Sequence, residues 1–254
     1  MKTIDLQARL KASGVHLACS ALLACVAAMM VFWVWYPAPY GQMSGASDLF
    51  LLLVAVDVVL GPLITLVIFN TGKSRKKLLG DLVVVAAVQL AALSYGVWTV
   101  FVVRPVHLVF EYDRMRVVHA VEIPDEFLMR VPAGIDALPV WGPGLLALRP
   151  FKDNAEQTSA TFAALAGVAL STRTELWMPY DKAVPDVLKA AKPVSQLISK
   201  TPAFAAPLQR ALAQAGRSEA DTVYLPLASR ASFGTALLDA KTGQPVALLP
   251  LDSF

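Results

Sequence analysis

A three-helix transmembrane bundle followed by a small α+β domain with an antiparallel sheet is the fold class this sequence predicts. Three observations predict it. Of 254 residues, 56% are hydrophobic and only 16% charged, against about 25% charged in soluble domains. Residues 15–36, 49–69 and 82–103 form apolar runs that reach the roughly 20 residues needed to cross a bilayer. Nothing after Arg104 matches them in length and apolarity. Residues 104–254 instead mix short strand-like and helix-like segments, with room for one ordinary core. The expected division is a transmembrane domain over 1–103 and a second domain over 104–254.

The first run is too long for a cleaved signal, and Tyr36-Pro37-Ala38-Pro39 follows where small residues should lie, so it reads as a retained span. Cys19 and Cys25 both fall inside it. Six residues apart, they point to different helix faces and are expected to be small buried hydrophobes rather than a pair. The chain has two cysteines in all, so no cysteine metal site is expected.

Orientation follows from Lys and Arg in the short loops. Lys2, Arg9 and Lys11 precede the first span, the loop 37–48 has no basic residue, and the loop 70–81 carries Lys73, Arg75, Lys76 and Lys77. The N-terminus and the second loop are therefore expected in the cytoplasm, with residues 104–254 on the far side. Phe32, Trp33, Trp35 and Tyr36 close the first span, and Trp98 and Phe101 the third, which sets amphipathic rings at the outer interface. A bacterial inner membrane with a periplasmic domain is the expected setting. The four basic residues read as topology determinants, with contact to anionic lipid headgroups as a second use. The net charge of +3 belongs wholly to residues 1–103. The remainder is neutral, with no basic patch of the kind nucleic-acid binding requires.

In the second domain, residues 107–123 read as strands around a polar break at Asp113-Arg114, and 124–144 as loop. Residues 145–150 read as a short strand and 151–170 as a helix capped by Asp153 or Asn154, with its apolar face at Phe162, Leu165, Val168 and Ala169. Residues 183–216 suggest two helices broken by Pro193, Pro202 and Pro207 and stopped at Gly216. Residues 222–229 and 233–251 read as three strands with a hairpin turn at Asp239-Ala240-Lys241-Thr242-Gly243. No catalytic constellation is legible. Lys241-Thr242-Gly243 matches one element of penicillin-binding serine enzymes, but no Ser-x-x-Lys follows residue 104, and the hairpin reading is preferred. His107 and His119, with Glu111, Asp113 and Glu122 nearby, are expected at surface or edge positions rather than on a metal. No catalytic residue, metal or cofactor is expected.

The second span is where chemistry concentrates. Asp57 lies about 12 Å below the outer surface at 1.5 Å per residue, where a charge is costly and usually faces a partner or a cavity. Asp57, Gly61 and Thr65 are spaced by four and share a stripe, and Pro62 is expected to bend the span near Val58. The third span carries Gln89, Ala92, Gly96 and Thr99 in a matching stripe. Antiparallel depth matching pairs Asp57 with Tyr95–Thr99 and Thr65 with Gln89. Facing small and polar residues are what close helix packing in lipid uses. Asp57 is then either protonated or bonded to Tyr95 as a bundle fastener, or the centre of a surface that docks a partner helix. Ion transfer and proteolysis are weaker readings, because Asp57 has no second acid at its depth.

Trp35-Tyr36-Pro37-Ala38-Pro39 and Val56-Asp57-Val58-Val59-Leu60-Gly61-Pro62-Leu63 resemble the TfpX/TfpZ family of type IV pilin accessory proteins. The basic loop 73–77, Gln89-Leu90, Tyr95-Gly96, Phe110, Asp113-Arg114 and the closing Asp239–Gly243 turn add to the likeness. It is dense over residues 10–123 and thin over 124–230. It implies a non-enzymatic, chaperone-like inner-membrane protein that assists assembly or surface display of a cognate type IV pilin. The implied partners are the pilin's membrane helix and periplasmic head, other pilus assembly components, and membrane lipid. The rival readings are a membrane-anchored periplasmic sensor, which the short cytoplasmic segments do not support, and a transporter subunit using Asp57.

Overall fold

The computed structural model describes residues 6–254; Lys2, counted in the orientation argument, lies outside the described residues. The chain divides into two compact units. One ends at Pro37 and resumes over Ala46–Val102, and the other joins Ala38–Gly45 to Val103–Phe254. Against the division expected at residue 103, the segment Ala38–Gly45 thus belongs with the C-terminal unit.

The first unit holds three helical rods long and apolar enough to cross a membrane: Leu6–Trp35, Ala46–Ile68 and Arg75–Val102. The first is α1 (Leu6–Met29) running into a π-helical turn over Met30–Trp35. The chain then passes the short α2 (Tyr40–Met43) of the other unit. The second rod is α3 (Ala46–Ala55), a π-helical segment over Val56–Leu60, and α4 (Gly61–Ile68). The third is α5 (Arg75–Val102). Helices α1 and α5 begin well before the apolar runs at 15 and 82, because good helix formers such as Leu6, Gln7, Lys76 and Lys77 carry the helix outward.

Helix α1 packs along α4, and α4 along α5. The first and third rods meet near one end only, where Val31, Trp35 and Tyr36 cluster with Val97, Val100 and Phe101. There the Tyr36 hydroxyl donates to the Val100 carbonyl at 2.9 Å, and the Trp35 and Phe101 rings lie 4.9 Å apart. Cys19 and Cys25 are both exposed, not buried as expected. A helix that is apolar all round has no need to turn small hydrophobes inward, and only Ala24 and Ala27 of α1 are buried.

The second unit is built on β1 (Pro105–Glu111), β2 (Arg114–His119), β3 (Gly144–Leu148), β4 (Trp177–Pro179), β5 (Lys192–Pro193), β6 (Thr222–Ala228), β7 (Phe233–Asp239) and β8 (Pro245–Leu249). The sheet runs β4-β3-β1-β2-β6-β7-β8, with β5 on β6. It is mixed rather than antiparallel, since β1 pairs parallel with β3 and β2 with β6. The hairpins β1–β2, β6–β7 and β7–β8 fix antiparallel neighbours through tight turns. Strands β3 and β6 arrive after long excursions, so no local turn dictates their direction.

The helices are α6 (Asp125–Leu128), α7 (Asn154–Leu165), α8 (Val184–Ala190), α9 (Val194–Lys200) and α10 (Ala205–Gln214). Asp153 caps α7 as expected, accepting from the Glu156 amide at 2.8 Å. The expected apolar face is not buried: Phe162 and Leu165 are 67% and 79% exposed. The helix stops at Leu165, and Gly167 (φ +91) redirects the chain, so Val168 and Ala169 never continue the stripe. The region 183–216 forms three short helices. Pro207 sits in the first turn of α10, where its missing N–H is not needed.

Strand β1 is buried over its whole length, which makes it the centre of the unit. On one face Leu108, Phe110, Met115, Val117, Leu225, Leu227, Ala236 and Leu238 pack with Tyr180, Ala183 and Val187. Met43, from the segment between the first two rods, lies in this core at 1% exposure. Burying a side chain of that size contributes about 1.5–3 kcal/mol, which is why the segment belongs with this unit.

Candidate functional site

The residues of the second rod are shaped by one covalent fact, the missing N–H of Pro62. In an α-helix the Asp57 carbonyl would accept from Gly61, and in a π-helical register from Pro62. The π-helical segment Val56–Leu60 contains Asp57 and ends directly before Gly61-Pro62. Its i+5 pairing gives the Gly61 N–H to Val56 and leaves the Asp57 carbonyl facing a proline nitrogen. The side chain of Gln89 fills the gap, its Nε2 donating to the Asp57 carbonyl at 3.0 Å. The expected distortion at Pro62 therefore takes the form of a π-helical turn with a donor from α5.

Close approach depends on two glycines. A Cβ on Gly61 would fall on the Gln89 amide, and one on Gly96 would overlap Leu53 Cδ1. The two rods therefore meet through Asp57 and Gly61 with Gln89, and through Leu53 with Gly96. Depth matching placed them about one to two turns away. Thr65, paired with Gln89 by that argument, instead bonds His16 Nδ1 of α1 through its hydroxyl at 2.5 Å and is buried. Tyr95 does not meet Asp57: it is 69% exposed and its ring lies 5.9 Å from that of Trp98. Thr99 donates to the Tyr95 carbonyl of its own helix at 2.9 Å. The slip has a simple cause, since the third rod begins at Arg75, so the ends of the apolar runs mark no common depth.

Two residues of α1 belong to this site and were not expected in it. The Ser13 hydroxyl donates to the Pro62 carbonyl at 2.9 Å, and His16 holds Thr65. Their signal was the spacing Ser13, His16, Ser20 along an apolar run, one polar face at helical period. Beyond these contacts α1 and α5 diverge and leave a groove of about 670 Å³. Cys19 and Leu23 line one wall, Ala86 and Leu90 the other, with Asp57 and Thr65 in the floor.

In the basic loop, Lys73 donates to Asp81 at 2.5 Å and to the Ile68 carbonyl at 3.2 Å, capping the second rod. Arg75, Lys76 and Lys77 are exposed.

In the second unit, His107 and His119 are buried at 3% and 0% exposure, not at the surface. Each sits on a central strand; both ring nitrogens of His119 are bonded internally, while Nδ1 of His107 is buried without a partner. His107 Nε2 donates to the Asp136 carbonyl at 3.0 Å, its ring lies 4.7 Å from that of Trp177, and burial lowers its pKa. His119 Nδ1 lies 2.9 Å from Glu122 and Nε2 lies 2.7 Å from the Ser44 hydroxyl. A carboxylate only accepts, so Nδ1 carries a proton toward Glu122, and Nε2 meets the Ser44 hydroxyl. Burial pushes the Glu122 carboxyl up, but hydrogen bonds from the ring and backbone of His119, with Arg116 nearby, outweigh it and hold it below the usual range. Hydroxyl, imidazole and carboxylate stand in the order of a serine nucleophile and its base. A base must meet its substrate, however, and this ring is wholly enclosed, so the chain of bonds fastens Ser44 to β2. Among the described residues no group of three or more His, Cys, Asp or Glu is placed to hold a metal. The Lys241-Thr242-Gly243 segment is a turn, with Asp239 Oδ1 accepting from the Lys241 and Thr242 amides at 2.9 and 2.8 Å and Gly243 at φ +67.

Comparison with known proteins places this geometry. The profile of a family described as "Fimbrial assembly protein FimB" matches residues 4–45, the stretch from the start of α1 to Ser44 and Gly45. The fimbrial assembly protein of Dichelobacter nodosus serogroup E1 is 31% identical over 245 residues, 96% of this chain and 95% of that protein. The chain belongs to the fimbrial assembly protein family. The serogroup I fimbrial assembly protein of the same organism matches to the same extent. That of serogroups C1 and C2 is 38% identical over 107 residues, 42% of this chain and 82% of that protein. No solved structure matches. The likeness to the fimbrial assembly proteins of serogroups E1 and I spans both units, so the apolar rods and the mixed-sheet unit belong to one family architecture.

Proposed function

We propose that this fimbrial assembly protein is a non-enzymatic accessory of the TfpX/TfpZ kind, which holds a type IV pilin in the bacterial inner membrane and passes it to the assembling fibre. The carrying observation is the full-length likeness to fimbrial assembly proteins in a chain with three apolar rods. A subunit awaiting assembly is tethered by one apolar helix, and a three-rod unit offers that helix a packing surface in lipid. The Lys and Arg bias of the loops supports an orientation with the mixed-sheet unit in the periplasm, where it meets the pilin head. The exposed Arg75, Lys76 and Lys77 face the cytoplasmic leaflet in this orientation.

The test is deletion of the gene in a piliated strain, with pilin measured separately in the sheared surface fraction and in the membrane. The expected result is at least a severalfold fall in surface pilin with pilin retained in the membrane. Restoration should follow from the wild-type gene. Unchanged surface pilin would overturn the proposal.

A further inference from the structure

Most polar groups of the second rod are spent inside the unit. Thr65 is bonded by His16, the Pro62 carbonyl by Ser13, and the Asp57 carbonyl by Gln89. What remains open is the groove between α1 and α5. Its lining runs from Ala8 to Leu23 on α1 and from Leu82 to Leu93 on α5. At 1.5 Å per residue that is about 22 Å and about 16 Å, or three to four helical turns. The walls are largely apolar apart from Lys11 and Ser20, and in part small, with Ala12, Cys19 and Ala86 among them, and small side chains let a second helix approach closely.

The floor narrows the choice of occupant. Gln89 spends its amide nitrogen on Asp57, while its Oε1 is buried without a partner. The Asp57 carboxyl faces Gln89 and His16 and lines the groove, and a carboxyl group keeps acceptor capacity in either protonation state. Both unspent groups are acceptors. A lipid acyl chain offers them nothing, and an unsatisfied polar group in hydrocarbon is costly. A helix carrying a hydroxyl, amide or ammonium at this depth satisfies the Asp57 carboxyl, which lines the groove.

We infer that this groove seats the single transmembrane helix of the fimbrial subunit, with a hydrogen-bond donor of that helix set against the Asp57 carboxyl. The inference rests on the accessory reading above and adds to it the face, the depth and the chemistry of contact. It also moves the docking surface from the second and third rods to the first and third.

The chain carries its own probe and control. Cys19 lines the groove and Cys25 does not, and both are exposed. In native membranes, the full-length variants Cys25→Ser and Cys19→Ser each leave one thiol for a benzophenone-maleimide photocrosslinker. The expected result is a pilin adduct from Cys19 and little or none from Cys25. Asp57→Leu in the Cys25→Ser background should lower the Cys19 adduct roughly three- to tenfold, the value of one hydrogen bond between membrane helices, with the protein's membrane level unchanged by immunoblot. An adduct as strong with Asp57→Leu as without it overturns the donor assignment. A pilin adduct from Cys25 but not Cys19 overturns the groove and leaves the accessory reading standing. Lipid adducts, or adducts between two copies of this chain, with no pilin from either thiol, overturn both.

Discussion

The Ser44 hydroxyl lies 2.7 Å from Nε2 of His119, a residue 75 positions along the chain. The bond joins the short segment between the first two rods to the second strand of the sheet, and Glu122 holds the imidazole from its other side at 2.9 Å. Ser44→Ala should leave His119 Nε2 buried without a partner, which costs about 1–3 kcal/mol. His119→Ala should cost more, since it leaves Ser44 and Glu122 both unmatched and opens a void. The check is limited proteolysis of the purified full-length protein, with faster cleavage within residues 38–45 in the order His119→Ala, Ser44→Ala, wild type. Equal cleavage of all three would show that the segment is held by other means.

The same fastener sets part of the response to acid. The Glu122 pKa is lowered on folding, so the unfolded chain binds the extra proton. The stability this contributes is present above the unfolded value of about 4.3 and lost as pH falls through the lower folded value. His107 is also lowered, by burial. Its contribution is therefore present above about 6.5 and declines as pH falls from there toward the folded value. Melting of the mixed-sheet unit is expected to weaken in two stages, one beginning near pH 6.5 and one below about pH 4.3. His107→Gln should flatten the first stage only, and Glu122→Gln should reduce the second, to which the lowered Glu156 and Asp239 also contribute.

How much of this was legible depended on whether local or distant residues did the specifying. The Asp239–Gly243 turn, the Asp153 cap and the hairpin break at Asp113-Arg114 were readable because each is a short-range pattern with its own hydrogen bonds or backbone demand. The mixed sheet was not readable, because nothing near β3 or β6 states which neighbour it will join. Met43 and Ser44 looked like ordinary loop, and their roles depend on Gly234, Ser232 and His119, far along the chain. In the rods, the stripe Asp57, Gly61, Thr65 was visible as a period of four. Its partners were misplaced by about one to two turns because depth was counted from the ends of apolar runs, while the helices themselves continue past those ends. His16 was overlooked although Ser13, His16 and Ser20 recur at helical period, because such a face names no partner until a second helix is laid beside it.

Gly234 tests the insertion of residues 38–45 from the other side. A Cβ there would fall 2.5 Å from the Leu249 carbonyl oxygen and 2.7 Å from Met43 Cε. The methionine tip can yield, but the backbone of β8 cannot yield without breaking its ladder with β7. Gly234→Ala should therefore destabilise the unit by about 1–3 kcal/mol, the usual range for overpacking. Adding Met43→Ala should not restore it, because the β8 clash remains. Equilibrium denaturation followed by tryptophan fluorescence measures both variants.

In the first unit, neighbouring residues of α5 should behave oppositely. Gly96 touches Leu53 with no room for a Cβ, whereas Tyr95 is exposed. Gly96→Leu should force α5 away from α3 and lower the resistance of the unit to denaturing detergent. Tyr95→Phe should change that resistance by less than about 0.5 kcal/mol, as exposed substitutions usually do. A large effect of Tyr95→Phe would restore the hydrogen bond to Asp57 that depth matching had drawn.

Pro62 and Gln89 should be coupled although no bond joins them. Pro62 removes the N–H that a π-helical register would offer to the Asp57 carbonyl, and Gln89 Nε2 replaces it at 3.0 Å. Gln89→Leu alone leaves that carbonyl without a donor in an apolar setting, and should destabilise the unit by about 0.6–1.7 kcal/mol on the scale of interhelical hydrogen bonds. Pro62→Ala returns a backbone N–H. The segment can then regain an α-helical ladder in which the Gly61 amide serves Asp57 and the restored amide, one residue further on, serves Val58. In that background the Asp57 carbonyl no longer depends on α5, and Gln89→Leu should cost measurably less. The quantity to measure is the coupling energy of the double-mutant cycle Pro62→Ala and Gln89→Leu, from unfolding in mixed micelles. The expected value is at least about 0.5 kcal/mol, with the double variant more stable than the sum of the single effects predicts. Additivity would mean that Gln89 answers the Asp57 carbonyl whether or not the helix can.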